Sequence, residues 1–164
     1  MAKLKGIKKI DKLINKFTKQ FGITANLGTE FQAFCDDHTI EYTLVIAEED
    51  IKYFIEDAEK RYPDIKTDIF LWCLLHEIGH IITDVLWTDE ELEYFEAQKN
   101  EMMCYSDTDL RNNWYHCIPD EFFATRWAGN YMRKHPKKIA KFWAEMQAEI
   151  IKFYKKNGLL EEND

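Results

Sequence analysis

The residues with the clearest chemical potential form the segment His76-Glu77-Ile78-Gly79-His80, an HExxH pattern. An α-helix turns about 100° per residue, which places His76 and His80 roughly 40° apart on one face and one turn apart along the axis. Two imidazoles so placed can bind one metal ion, and histidine is a common ligand of catalytic zinc. Glu77 lies beside them, able to hold a metal-bound water but turned too far to be the obvious third ligand. The motif therefore predicts a zinc site.

A catalytic zinc site needs a third protein ligand and an open position for water. The best candidate is Glu121, which lies in the segment PDEFFAT at the start of the next strongly helical stretch. Three rival ligands lie close to it in the chain: Asp120, His116 and Cys117. Ala124, one turn after Glu121, is small enough for this helix to pack closely against the motif helix. We therefore expect Glu121 to complete the site.

Other polar residues near the two motifs could support such a site. Asp84 follows His80 by four residues and continues the same helical stripe, so we expect it either to hydrogen-bond to the site or to be solvated. Cys73 lies one turn before His76, where a free cysteine more often serves as a small core residue than as a ligand. Candidates for stabilising a developing oxyanion near the third ligand are Tyr115, His116, Arg126 and Tyr131.

The composition excludes several other kinds of chemistry. The 164 residues include one serine, Ser106, outside any GxSxG elbow, and six glycines that form neither GxGxxG nor a P-loop. The chain holds 22 Lys+Arg and 30 Asp+Glu, and its net charge of −8 makes nucleic-acid binding unlikely. The charge is uneven, because residues 1–20 carry seven lysines and one aspartate. That basic segment has a net charge of +6, which leaves −14 for the rest.

Cysteine usage and hydropathy favour a cytoplasmic protein. The four cysteines share no CxxC spacing, and a chain of this size does not need disulfides to fold. The basic N-terminus has no continuous apolar stretch that would mark a secretory signal. The most apolar stretch, Ile69–Leu75, has seven residues, whereas a membrane-spanning helix needs about twenty. The sequence therefore predicts no membrane span.

Apolar periodicity predicts one α+β domain over residues 1–164, mostly helical, with a small antiparallel sheet packed on the HExxH helix. The predicted helices cover residues 4–21, 48–61, 65–86, 119–134 and 136–158, and the predicted strands cover 30–35 and 39–46. The first helix is basic and amphipathic, which is typical of a helix docked by one face with its lysines in solvent. An acidic stretch, Asp84–Asp109, carries nine carboxylates and one lysine and is expected to form a helix plus a loop.

The order of these elements resembles the ImmA/IrrE-like metallopeptidases, small gluzincins of bacteria, phages and mobile elements. The resemblance spans roughly residues 5–135, and its specific parts are HEIGH and the ExxA around Glu121. It implies that His76, His80 and Glu121 bind Zn²⁺ and that Glu77 is the general base. Members of this family act on repressor-type regulators in the bacterial cytoplasm. The resemblance thus implies a zinc metallopeptidase with a protein or peptide substrate, such as a transcriptional regulator of a phage or mobile element.

The family usually has Asn or Asp four residues after its third ligand, where this chain has Thr125. Thr125 is thus the candidate hydrogen-bond partner of a ligand histidine. The difference also favours an alternative, a non-catalytic zinc-binding interaction module on the same scaffold. A further alternative is a DNA-associated metalloprotease whose lysine helix contacts phosphates, although the acidic remainder argues against it. The sequence defines neither the physiological substrate nor the oligomeric state.

Overall fold

Helices make up most of the structure, and they surround a small sheet. The computed structural model describes residues 6–46 and 48–159, and for residues 48–54 it describes the backbone only. The helices are α1 (Ile7–Thr18), α2 (Glu48–Arg61), α3 (Ile69–Thr83), α4 (Asp89–Met102), α5 (Thr108–Tyr115), α6 (Pro119–Lys134) and α7 (Pro136–Lys156). The strands are β1 (Thr24–Leu27), β2 (Gln32–Phe34) and β3 (Thr39–Tyr42). The predicted α+β class is confirmed.

The sheet is mixed, whereas the sequence predicted an antiparallel one. Strand β3 lies in the centre, pairs antiparallel with β2 and pairs parallel with β1, which the sequence analysis did not predict. Only Ala25 is buried in β1, so this strand has no alternating pattern to reveal it. The Asn15 side chain of α1 holds β1 in place, because it hydrogen-bonds to both the N–H and the C=O of Ala25 at 2.9 Å.

Most helix boundaries agree with the sequence signals. Helices α2 and α6 begin and end at the predicted residues, and Pro119 occupies the first turn of α6. The HExxH helix begins at Ile69 rather than at residue 65, because the Asp68 side chain caps it by accepting a 2.8 Å hydrogen bond from the N–H of Phe70. The acidic stretch forms two helices, α4 and α5, with a short loop between them.

Helix α3 lies at the centre of the hydrophobic core and packs mainly against α6 and β2. Eleven of its fifteen residues are buried, including Leu74, Leu75 and Ile78, which are fully inaccessible to solvent. The segment Ile69–Leu86 is long and apolar enough to cross a membrane. The sequence prediction of no span considered only its first seven residues, Ile69–Leu75. More than half of this segment is buried inside the fold, as in the core helix of a soluble protein, so it is weak evidence for a span.

The basic helix α1 docks by one face, as its pattern predicts. Ile10, Ile14 and Phe17 are buried, and the Phe17 ring stacks on Phe142 of α7 with 4.1 Å between the ring centroids. The lysines of α1 are exposed on the opposite side. Burial of this apolar stripe ties the N-terminal helix to the same core that holds α3.

Candidate metal centre

Two helices bring three potential metal ligands to one point. His76 and His80 project from α3, and Glu121 projects from the first turn of α6. Their ligating atoms all lie within 4.8 Å of one another. The Glu121 Oε2 atom lies 3.0 Å from the Nε2 of His76 and 3.2 Å from the Nε2 of His80. Two imidazole nitrogens and one carboxylate oxygen can hold a metal ion, and this donor set fits zinc.

A close approach of α3 and α6 makes this convergence possible. A side-chain carbon on Gly79 would lie 2.5 Å from the carbonyl oxygen of Ala124 and 2.9 Å from its Cα. Neither helix can retreat without separating the histidines from Glu121. The glycine of the HExxH segment and the alanine of the ExxA segment therefore set the distance between the two helices.

Thr125 provides the hydrogen-bond partner of one predicted ligand. Its Oγ1 atom lies 3.1 Å from the Nδ1 of His76, and the side chain is buried one turn after Glu121. A bond at Nδ1 orients the imidazole and leaves its Nε2 directed at Glu121. Thr125 therefore occupies the position at which the family resemblance implies Asn or Asp.

Glu77 contacts strand β2. The backbone N–H of Ala33 donates a hydrogen bond to its carboxylate. Burial raises the pKa of Glu77, and so does the negative charge of Glu121, while His76 and Lys99 lower it; the balance leaves the pKa at about 7. A carboxylate with a pKa near neutrality can both accept and return a proton, as a general base requires.

Lys99 of α4 reaches the same cluster, which the sequence analysis did not predict. Its Nζ lies 2.7 Å from the Oε1 of Glu121 and 2.8 Å from the Oδ2 of Asp120. The other oxygen of Asp120 accepts a 2.9 Å hydrogen bond from the backbone N–H of Glu121. Lys99 is the single lysine of the acidic stretch, and that isolation is the signal that could have drawn attention to it.

The contacts around Glu121 keep it ionised. Burial raises the pKa of Glu121, but the hydrogen bonds to His76 and His80 outweigh it and hold the net pKa far below its ordinary value. Burial lowers the pKa of Lys99, but the charge of Glu121 and the hydrogen bonds to both carboxylates raise it overall. Burial and the Tyr115 hydroxyl's hydrogen bond to Glu121 raise the tyrosine pKa well above its ordinary value. The cluster thus contains a carboxylate with an ammonium and a neutral phenol against it.

The three rival ligands have other contacts. Asp120 pairs with Lys99, and Cys117 is exposed. His116 is buried, and its Nε2 lies 3.3 Å from the Oδ2 of Asp57 on α2. Within the described residues, the metal-binding group contains none of these three rivals.

The remaining candidates are likewise outside the metal-binding group of the described residues. Asp84 accepts a hydrogen bond from the thiol of Cys35. The Tyr131 hydroxyl donates to Gln20 at 3.1 Å, and Arg126 is exposed. Cys73 is buried, as expected of a core cysteine.

Two cavities meet at the cluster and form one cleft. The first, about 390 Å³, is mainly apolar and includes Val45, Ile46 and Trp72 in its lining. The second, about 320 Å³, is mainly polar and has these charged residues in its lining: Glu77, Asp84, Glu96, Lys99, Asp120 and Glu121. Phe31, Glu77 and Tyr115 line both. The cleft follows strand β2, an edge of the sheet.

In comparisons with known proteins, no family model, curated protein or solved structure matches the chain. The resemblance to ImmA/IrrE-like metallopeptidases therefore stays a prediction from the sequence motifs. The geometry of the cluster is an independent observation, because it depends on the packing of α3 against α6.

Proposed function

We propose that this protein is a zinc-dependent metallopeptidase that hydrolyses peptide bonds of a protein substrate. The observation that carries the proposal is the convergence of His76, His80 and Glu121 next to Glu77, which faces an open cleft. Zinc bound by the three ligands would acidify a water molecule and polarise the scissile carbonyl. The donor set is that of a catalytic zinc site, with three protein ligands and room for a fourth.

Each side chain of the cluster has a defined task in this mechanism. The Nδ1–H of His76 donates to Thr125, which directs the Nε2 lone pair toward the metal position. Glu77 accepts a proton from the attacking water and delivers it to the leaving amine. The raised pKa of Glu77, about 7, suits both steps near neutral pH. The Tyr115 hydroxyl, which remains protonated, lines both halves of the cleft and would donate to the developing oxyanion by turning from its hydrogen bond to Glu121.

The sheet edge supports a peptide substrate. Among the described residues, strand β2 pairs with a strand, β3, on one side only, so an extended peptide can add on its other side and be aligned by backbone hydrogen bonds. A side chain of the peptide would enter the apolar cavity beside Trp72. Following the family resemblance, we propose a cytoplasmic protein whose substrate is a transcriptional regulator of a phage or mobile element.

A peptide library tests the proposal without knowledge of the natural substrate. The zinc-loaded protein is incubated with unstructured peptides, and new termini are identified by mass spectrometry. We expect cleavage by the wild type that a chelator abolishes, and none by Glu77→Gln, which retains the metal. Equal cleavage by the wild type and Glu77→Gln would show a contaminating protease and contradict the proposal.

The non-catalytic alternative depended on Thr125 in place of Asn or Asp. Its hydroxyl at 3.1 Å from His76 supplies the hydrogen bond that this difference had put in question, which supports the catalytic proposal over the alternative. The same library separates the two, because an interaction module would bind zinc and cleave no peptide in either form.

A further inference from the structure

On helix α4 the single lysine, Lys99, points toward the metal cluster, whereas the acidic side chains are exposed to solvent. The acidic residues of the helix are exposed: Asp89, Glu90, Glu91, Glu93, Glu96 and Glu101. Lys99 is only 21% exposed, and its ammonium lies between the carboxylates of Asp120 and Glu121. Solvation explains the outward residues, but it does not explain why a lysine leaves water to reach the metal cluster.

We propose that Lys99 is a positioning residue that makes Glu121 a one-oxygen ligand of the metal; this inference rests on the proposed function. The Oε1 atom of Glu121 is held by the ammonium at 2.7 Å, while Oε2 faces the two histidines. A carboxylate without such a partner can turn and offer both oxygens to a metal ion. With Oε1 paired with the ammonium, Oε2 would be the oxygen offered to the metal, and a fourth position would be left for water.

The contact of Lys99 with Asp120 directs its ammonium toward Glu121. Asp120 binds the ammonium through Oδ2 at 2.8 Å and the backbone N–H of Glu121 through Oδ1 at 2.9 Å. The three groups therefore form a closed arrangement, in which the ammonium binds both carboxylates and Asp120 also binds the backbone of Glu121; Glu96 lies farther from the ammonium, at 3.9 Å. Both ion pairs are at the short distances of charge-assisted hydrogen bonds.

Anchoring of α4 does not require Lys99. Phe95 and Met102 are each 6% exposed, and the Phe95 ring contacts Trp87 with 5.2 Å between the centroids. These apolar contacts hold the helix on either side of the lysine. A role in orienting Glu121 therefore accounts for the ammonium better than a role in docking the helix.

Cobalt substitution tests the inference, because visible absorption of Co²⁺ reports its coordination number. The full-length wild type is compared with Lys99→Met, which keeps the length but removes the charge, and with Lys99→Arg. Lys152→Met is the matched control, because it breaks a 2.9 Å ion pair with Glu149 on α7, away from the cluster.

We expect Lys99→Met to shift cobalt from four-coordinate to five-coordinate absorption and to weaken zinc binding about 10- to 100-fold. Lys99→Arg should restore both, and the control should match the wild type. A Lys99→Met protein with the wild-type spectrum and affinity would overturn the positioning role while leaving the metal centre intact. Absence of cobalt binding in the wild type would instead overturn the proposed function, and the role of Lys99 with it. If Lys99→Met does not fold, Lys99→Arg is the remaining test. The cobalt spectrum of Lys99→Arg must then match that of the wild type, and a five-coordinate spectrum would overturn the positioning role.

Discussion

The two sides of helix α3 are built differently, although His76, Glu77 and His80 all lie within two turns of this one helix. On the α6 side, two of the three ligands contact a further side chain: His76 contacts Thr125, and Glu121 contacts Lys99. On the β2 side, Glu77 accepts a backbone hydrogen bond and lines both halves of an open cleft. The contrast suggests a division of labour in which the ligand side fixes the metal and the cleft side admits substrate and water.

The largest effect is expected on the cleft side, from Glu77→Asp. This change keeps the carboxylate but withdraws it by one methylene, and a displacement near 1 Å can cost about 10²-fold in rate. We expect kcat for a cleaved library peptide to fall about 10²-fold while zinc content and unfolding midpoint stay at wild-type values. Loss of zinc from Glu77→Asp would show that the two sides of α3 are not separate.

On the ligand side, Thr125→Val removes the hydroxyl that contacts His76 and keeps the shape of the side chain. Because the imidazole loses its orienting partner, we expect zinc affinity to fall about 10- to 100-fold. A competition titration with a chromophoric chelator measures it. Thr125→Ser, which keeps a hydroxyl, is the control and should bind zinc nearly as the wild type does. Equal zinc affinities of all three proteins would show that Thr125 does not orient His76 for zinc binding.

The helix contact is tested by Gly79→Ala. A methyl group there meets backbone atoms of Ala124 at 2.5 Å, and the strain outweighs the gain of about 1 kcal/mol in helix propensity. We expect a net loss of about 2 kcal/mol in the free energy of unfolding, measured in urea. Gly129→Ala is the matched control, because its methyl group meets the side-chain ring of Tyr62 at 2.4 Å rather than the backbone of a facing helix. If the control were the less stable protein, α3 and α6 would not be in tight contact.

The smallest effect concerns His116, which belongs to neither side of the cluster. Burial lowers its pKa below the ordinary value of 6.5, although Asp57 opposes the shift. The unfolded chain therefore binds a proton that the folded chain excludes, and stability falls as the pH drops below about 6.5. We expect His116→Gln to reduce this loss by at most about 1.4 kcal/mol between about pH 8 and about pH 5.5. Urea unfolding of chelator-treated protein measures it; identical pH dependence of both proteins would contradict the assignment.

The local parts of the site were predictable from the sequence, and the long-range parts were not. Helical spacing alone places His76 and His80 on one face of a helix. A proline is tolerated at the first position of a helix, so Pro119 indicates that Glu121 lies in the first turn of the next one. Lys99 reaches Asp120 across 21 residues of chain, and no periodic pattern reports such a contact. Strand β1 was missed for a similar reason: its place depends on pairing with β3 and on Asn15, rather than on its own residues.

Zinc content measured after purification without added metal tests the central claim most directly. The claim is that His76, His80 and Glu121 form one metal centre. We expect about one zinc ion per chain in the wild type and in Glu77→Gln, and little or none in Glu121→Ala. Zinc retained by Glu121→Ala at the wild-type level, or absent from the wild type, would contradict it.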